Sequence, residues 1–127
     1  MANWVPDGFV AKQFALGGRY LPPPEGIPAP VLWGNEAVAR ERLGPYASEI
    51  RATRWKAGFD FPFPPRQVVQ FFREHFGPTQ VAFSRLDPET QAAYAADLEN
   101  LWNEHNQGDP GRTAVQGEYL EVIAARR

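Results

Sequence analysis

Cysteine is absent from the 127-residue sequence, and histidine occurs only at positions 75 and 105. The lack of cysteine excludes disulfide bonds, thiolate metal ligands and a thiol nucleophile. Two histidines without an HExxH spacing do not make a histidine zinc site by themselves. Basic residues are not in excess, since 13 Lys and Arg face 15 Asp and Glu. The net charge of −2 therefore argues against nucleic acid or an anionic membrane as partner.

Long apolar runs are also missing, because none approaches the roughly 20 residues that cross a bilayer. The first residues, MANWVP, lack the charged and apolar regions of a signal peptide. We therefore expect a cytoplasmic protein, and the length suits a single domain over residues 1–127.

Proline is plentiful, with five of the 13 prolines at positions 22, 23, 24, 28 and 30. Because proline fixes φ and lacks an amide donor, residues 19–33 are predicted to form an extended, polyproline-like ordered loop. A surface linker is the alternative that composition allows. Docking against the body is favoured by five apolar residues that a free linker would not carry, namely Tyr20, Ile27, Val31, Leu32 and Trp33.

Apolar spacing and capping residues predict four helices. These helices start at Asp7, Asn35, Pro65 or Arg66, and Asp87. The first is expected to end at Gly17-Gly18, the second at Gly44-Pro45 and the fourth near Asn106. Phe71 widens the apolar face of the third helix, which predicts burial on two sides, and Gly77-Pro78 is expected to break or kink it.

Two stretches read as strands. Residues 49–61 alternate, and the predicted buried face holds Thr53, Trp55, Ala57, Phe59 and Phe61. Residues 113–127 are predicted to form a strand pair or one long strand with an apolar centre at 118–125. Because two strands rarely make a stable sheet alone, the sheet is expected to be completed by something else.

Four segments resemble class I S-adenosylmethionine-dependent methyltransferases of the bacterial small-molecule type. They are ANWVPDGFV at 2–10, PVLWGNE at 30–36, FFREHFGPT at 71–79 and EYLEV at 118–122. The resemblance implies the C-terminal, substrate-side part of a seven-stranded sheet, with 49–61 and 119–125 as its sixth strand and antiparallel seventh strand. The expected fold is α+β or partial α/β: an incomplete Rossmann-like sheet packed with about four helices.

The resemblance stops at the cofactor half. No G-x-G-x-G follows a strand, so no cofactor-binding residues are expected in the isolated chain, and S-adenosylmethionine is implied only if a missing N-terminal half is supplied. An open sheet edge invites pairing, which predicts a homodimer or a partner chain that completes the sheet.

Methyl transfer depends mainly on alignment of the acceptor, sometimes with a general base. The candidate substrate-pocket residues are Asn3, Trp4, Phe14, Tyr20, Trp33 and Phe76. Asn3 and Trp4 have the best position because they would leave the carboxyl end of a strand, whereas core packing is the alternative for each aromatic residue. His75 is the candidate base within a matched segment, with an exposed helix histidine as the alternative, and His105 is interpreted as complementing a helix end or as solvated.

Three functions follow. The first is a truncated or split methyltransferase that is not competent as an isolated chain. The second is a stand-alone domain that binds, cyclises or isomerises a small apolar metabolite, and the third is a non-catalytic assembly module. The sequence does not identify the acceptor.

Overall fold

The computed structural model describes residues 1–127 and has an α+β architecture, as expected. The strands are β1 (Ala2–Trp4), β2 (Ala47–Phe61) and β3 (Thr113–Arg126). The helices are α1 (Phe9–Tyr20), α2 (Glu36–Leu43), α3 (Pro65–His75), α4 (Gly77–Ser84) and α5 (Pro88–His105). Two 3₁₀ helices cover Pro30–Gly34 and Gly44–Tyr46. No helix combines the length and the apolar character needed to cross a bilayer.

The three strands form one sheet in the order β1-β3-β2. Strand β1 pairs antiparallel with β3, with Asn3 opposite Leu120. Strand β3 is also antiparallel to β2, as two hydrogen bonds show. At the end of β3, Arg127 N–H donates to the Tyr46 carbonyl oxygen at 3.0 Å, and at its start the Thr113 hydroxyl donates to the Phe63 carbonyl oxygen at 2.9 Å. Apolar alternation indicated only β2 and β3, and β1 was implied only by the resemblance, which places Asn3 and Trp4 at the end of a strand.

The chain divides into two compact units. Unit 1 comprises Met1–Lys12, Pro24–Ala57 and Gly117–Arg127, and unit 2 comprises Gln13–Pro23 and Gly58–Gln116. The core of unit 1 consists of Val5, Ala39, Leu120 and Val122, with Leu43, Ile50 and Ala52 packed against it. Helix α2 begins as predicted, since the Asn35 side chain accepts a hydrogen bond from Val38 N–H at 3.1 Å.

Unit 2 is built around Trp102, which is 1% exposed. Its ring has aromatic neighbours in Phe59, Phe61 and Phe72, with ring centroids 5.4–6.2 Å away. Helix α5 supplies Trp102 and starts at the predicted cap, because Asp87 accepts a hydrogen bond from Thr90 N–H at 2.8 Å. Burial of large aromatic side chains is the main stabilising contribution in this unit.

Helix α1 does not end at Gly17-Gly18 but continues to Tyr20. A Cβ atom at Gly17 would lie 3.1 Å from the Tyr94 hydroxyl, so the glycine permits close packing and does not terminate the helix. The predicted 19–33 loop is shorter at both ends as a consequence, because Tyr20 belongs to α1 and Pro30 opens a 3₁₀ helix. Ile27, expected to dock, is 62% exposed.

The predicted buried face of β2 is wrong at Thr53 and Trp55 in unit 1, whereas Ala57, also in unit 1, is half-buried as predicted. Trp55 is 50% exposed and Thr53 is exposed, whereas the even-numbered Ile50 and Ala52 pack on the core. In unit 2 the odd-numbered Phe59 and Phe61 are half-buried, as predicted. This strand covers even-numbered residues at positions 50 and 52 and odd-numbered residues from position 57 to position 61. A single alternation of buried and exposed positions therefore cannot describe the whole strand.

Two helix predictions also need correction. Phe71 is 43% exposed, so α3 is not buried on two sides as its wide apolar face predicts. The break expected at Gly77-Pro78 is confirmed, because α3 ends at His75 and α4 starts at Gly77; since α4 is itself a helix, the number of α-helices is five and not four. Pro78 lies at the start of α4, where its missing N–H has no intrahelical partner to lose.

Candidate functional site

The six predicted pocket residues are distributed over both units. Asn3, Trp4 and Trp33 belong to unit 1, and Phe14, Tyr20 and Phe76 belong to unit 2. Each group is therefore described within its own unit.

In unit 1, β1 and the 3₁₀ helix Pro30–Gly34 meet closely. The Asn3 side-chain amide donates to the Pro30 carbonyl oxygen at 3.0 Å. A Cβ atom added to Gly34 would lie 1.9 Å from the Trp4 carbonyl oxygen, a distance that only glycine allows. Two of the segments that carry the family resemblance, 2–10 and 30–36, therefore contact each other at the end of β1.

The two tryptophans of this junction are held by neighbouring side chains. Trp4 stands edge-on to Tyr119, with ring centroids 6.1 Å apart. The Arg42 guanidinium lies over the Trp33 ring, 4.6 Å from its centroid, in cation–π geometry. One face of Trp33 is thus occupied by protein.

A cleft of about 440 Å³ opens beside this junction, and we call it the β1 cleft. Its lining includes Val5, Leu120, Gly34, Asp7, Glu36 and Arg54. Val5 and Leu120 are 1% exposed and lie beneath the cleft, whereas Pro6 and the ionised side chains of the lining are exposed. An apolar surface together with a few polar groups is typical of small-molecule sites.

Arg54 forms ion pairs with two carboxylates at the β1 cleft. Its guanidinium contacts both oxygens of Glu118, at 2.9 and 3.2 Å, and reaches Asp7 at 3.2 Å. The hydrogen bond to Glu118 is the main cause that raises the pKa of Arg54 above its ordinary value. The bidentate geometry fixes the orientation of the guanidinium plane.

The other carboxylate of the cleft, Glu36, pairs with Arg40 at 2.9 Å. Asp7 is the more open group, because 74% of its side chain is exposed. Its carboxylate oxygens can accept further hydrogen bonds, so a ligand hydroxyl or amino group suits this rim.

In unit 2, the Tyr20 side chain contacts two residues of α5. Its hydroxyl donates a hydrogen bond to the Asp97 carboxylate, which raises the pKa of Tyr20. Its ring packs on Tyr94 with centroids 5.0 Å apart. Tyr20 thus braces α1 against α5.

The other unit 2 candidates are more open to solvent. Phe14 is 42% exposed and lines a second cavity, described below. Phe76 is 36% exposed and contacts Phe72 at 5.4 Å between centroids. The His75 ring lies 4.9 Å from that of Phe71, and its side chain is 61% exposed. His105 Nδ1 is 3.0 Å from the Leu101 carbonyl oxygen, one turn earlier in α5.

The second cavity measures about 250 Å³ and lies wholly within unit 2. Helix α1, helix α4 and Tyr94 of α5 form its walls. We call it the Arg85 cavity and define it by Gln13, Phe14, Leu21, Thr79, Arg85 and Tyr94.

Neither cavity has the residues that would hold an adenosyl cofactor or a metal. Gly17 and Gly18 lie inside α1, and the turn between β1 and α1 contains one glycine, Gly8. The connection from β2 to α3 contains prolines in place of glycines. No three acidic or histidine side chains are grouped as metal ligands. No glycine-rich turn of the kind that holds an adenosyl cofactor follows any of the three strands.

The sequence analysis missed the Arg54, Asp7 and Glu118 constellation. Along the chain, Arg54 lies 47 positions from Asp7 and 64 positions from Glu118, so no local spacing connects the three residues. Arg54 lies on the strand parity that the alternation assigned to the solvent face. Register with β3 brings it to Glu118, and a single sequence contains no signal for that register.

Comparison with known proteins finds mycobacterial relatives. An uncharacterized protein of Mycobacterium tuberculosis is 29% identical over 128 residues, which cover 98% of this chain and 45% of the relative. A Mycobacterium bovis protein matches with the same values. A second Mycobacterium tuberculosis protein, also uncharacterized, is 25% identical over 126 residues with the same coverage. No family model matches. The chain thus spans somewhat less than half the length of the curated relatives it matches.

Proposed function

We propose that this chain forms the acceptor-binding side of an S-adenosylmethionine-dependent methyltransferase. The cofactor-binding side would come from a further segment or a second polypeptide, because the residues present here make no cofactor cradle. When bound, the cofactor would supply an activated methyl group. The chain's own task would be to bind and orient the acceptor.

The observation that carries the proposal is the contact between β1 and the 3₁₀ helix Pro30–Gly34. These two segments resemble the methyltransferase group separately, yet they are almost 30 residues apart in sequence. Their contact, with Gly34 against the Trp4 carbonyl oxygen, is what a shared structural role would require. The β1 cleft opens directly beside it.

Strand organisation is compatible with the same proposal. The resemblance assigns β3 as an antiparallel last strand, and β3 runs antiparallel to both of its neighbours. Strand β1 stands at the sheet edge, where further strands of a Rossmann-like sheet could continue. The relatives are long enough to contain such strands, since this chain covers 45% of them.

In the proposed reaction, the β1 cleft holds the acceptor near the end of β1. The exposed Pro6 would contact its apolar part, and Asp7 would accept a hydrogen bond from a hydroxyl or amine. Arg54 would act as a positioning residue that holds Asp7. Restricting the acceptor in this way lowers the entropic part of the barrier to transfer.

The test is a binding experiment on three polypeptides. The first polypeptide is this chain, and the second is the intact Mycobacterium tuberculosis relative that is 29% identical to it. The third is that relative with its aligned stretch replaced by this chain. Titration calorimetry with S-adenosylmethionine should show no binding to the first and binding to the other two. An intact relative that is folded but binds no S-adenosylmethionine would refute the proposal.

We also propose that the outer edge of β1 pairs with another chain, in a homodimer or with a polypeptide that completes the sheet. At the exposed Ala2, the backbone N–H and C=O groups at the sheet edge favour such pairing, whereas the Trp4 carbonyl oxygen is already covered by Gly34.

A further inference from the structure

The Arg85 cavity combines three buried polar side chains with one cation. Gln13, Thr79 and Tyr94 are 8%, 5% and 3% exposed. Each side chain belongs to a different helix, so α1, α4 and α5 all direct a hydrogen-bonding group toward one volume. Convergence of polar groups in a partly open cavity is typical of ligand sites.

Tyr94 is a fixed donor at this site. Its ring is held between Phe83 and Tyr20, with centroids 4.8 and 5.0 Å away. Burial raises the pKa of its hydroxyl, so the group stays protonated at neutral pH and can donate a hydrogen bond. The absence of a side chain at Gly17 leaves room for that hydroxyl.

Arg85 is the only charged residue in the lining, and it is exposed and forms no ion pair. No acidic side chain lines the cavity, so the local charge favours an anion. Guanidinium groups bind carboxylates in a bidentate arrangement that matches both oxygens.

The remaining wall is apolar, with Phe14, Leu21 and Val81 among its residues. A dry cavity of about 150 Å³ holds a benzene ring. The volume of about 250 Å³ therefore accommodates one ring together with a carboxyl group.

From these observations we propose that the Arg85 cavity binds a small carboxylic acid with a ring-sized apolar body, with Arg85 pairing the carboxylate and Tyr94 and Thr79 offering hydrogen bonds. This inference does not depend on methyl transfer. The site lies in unit 2, apart from the β1 cleft of unit 1, and needs neither a cofactor nor a second chain.

The experiment measures binding of benzoate to the intact chain by titration calorimetry or ligand-observed NMR. Benzylamine and benzyl alcohol serve as probes of the same ring size with a positive and a neutral head group. We expect benzoate to bind and the two others to bind at least tenfold more weakly. Arg85→Ala should weaken benzoate about tenfold or more, because a hydrogen bond to a charged group is lost.

Two further variants separate the site from general effects. Arg112→Ala removes another exposed arginine of unit 2 that does not line the cavity, and its affinity for benzoate should equal that of the parent protein. Ala82→Leu narrows the cavity and should abolish binding while Arg85 is still present. Circular dichroism verifies that each variant is folded.

The proposal is wrong if the folded parent protein binds no benzoate at millimolar concentration. It is equally wrong if Arg85→Ala and Arg112→Ala bind benzoate alike, or if benzylamine binds as well as benzoate.

Discussion

Gly34 is the residue at which the smallest change should have the largest effect. A methyl group there would lie 1.9 Å from the Trp4 carbonyl oxygen and 3.0 Å from the Val5 Cα atom, which are backbone atoms that cannot rotate away. Gly34→Ala should therefore push the 3₁₀ helix off β1 and lower the free energy of unfolding by about 3 kcal/mol, as expected for overpacking. Urea denaturation followed by tryptophan fluorescence measures this loss.

The matched control is Gly44→Ala. No atom lies within 4 Å of a Cβ built at Gly44, and its backbone is helical with φ −50° and ψ −43°. Alanine at this position should leave stability unchanged or raise it slightly, because it restricts the unfolded chain. Equal stability of the two variants would contradict the steric argument.

A second residue-scale contrast concerns two tryptophans. Trp102 is 1% exposed and Trp55 is 50% exposed. Trp102→Ala should lower the free energy of unfolding by about 4 kcal/mol, since it leaves a large cavity among phenylalanine rings. Trp55→Ala should cost less than about 1 kcal/mol. Chemical denaturation of both variants measures the difference, and a larger cost at Trp55 would show that the strand faces are misassigned.

That contrast also marks what residue patterns could predict. The sequence placed Phe59 and Phe61 on a covered face correctly and Trp55 wrongly, because alternation identifies a parity but not the face that each part of a strand buries. The Arg54 site was out of reach for a related reason. Its partners Asp7 and Glu118 are brought together by strand register, which depends on pairing over long sequence distances.

At the scale of elements, local capping signals were the most informative. The start of α2 at Asn35 and of α5 at Asp87 followed from side chains that accept hydrogen bonds from nearby amides. Strand β1 was implied only by the resemblance, because three residues with no apolar alternation contain no strand signal of their own. Its existence depends on Leu120 and its neighbours in β3, which lie at the other end of the chain.

The cap of α5 leads to a prediction on pH dependence. Hydrogen bonds from Thr90 hold the pKa of Asp87 below its ordinary value. A carboxylate whose pKa is lowered by folding stabilises the protein above its unfolded-state pKa of about 4, and this stabilisation disappears as the pH falls through the folded-state value. Asp87→Ala should therefore lower the melting temperature by a few degrees at neutral pH.

The difference between Asp87→Ala and the parent protein should shrink steadily below about pH 4. Asp87→Asn is the matched control, because asparagine caps helices about as well but does not titrate. Melting curves followed by circular dichroism over this pH range give the comparison. A difference between Asp87→Ala and the parent protein that is independent of pH would exclude the charge of Asp87 as its source.

At the scale of the whole molecule, the sheet order places β1 at an edge. The hydrogen bonds between β1 and β3 identify which backbone groups of β1 point away from the sheet. Met1 exchanges two hydrogen bonds with Val122, and Val5 N–H donates to the Glu118 carbonyl oxygen. In an antiparallel pair, the backbone N–H and C=O groups of alternate residues face the partner strand, so those of Asn3 also point toward β3. The N–H group of Ala2 must then point away from the sheet, where another strand can pair with it.

The homodimer proposal can be tested at that one amide. Ala2→Pro removes the outward N–H without removing a hydrogen bond of the β1–β3 ladder, since proline is tolerated on edge strands. Sedimentation at micromolar concentrations should show a dimer for the parent protein and at least tenfold weaker association for Ala2→Pro, because each copy loses an edge hydrogen bond. Ala2→Val keeps the N–H, favours an extended backbone and should remain dimeric. If the parent protein sediments only as a monomer, or if the proline and valine variants associate equally, β1 does not pair between copies.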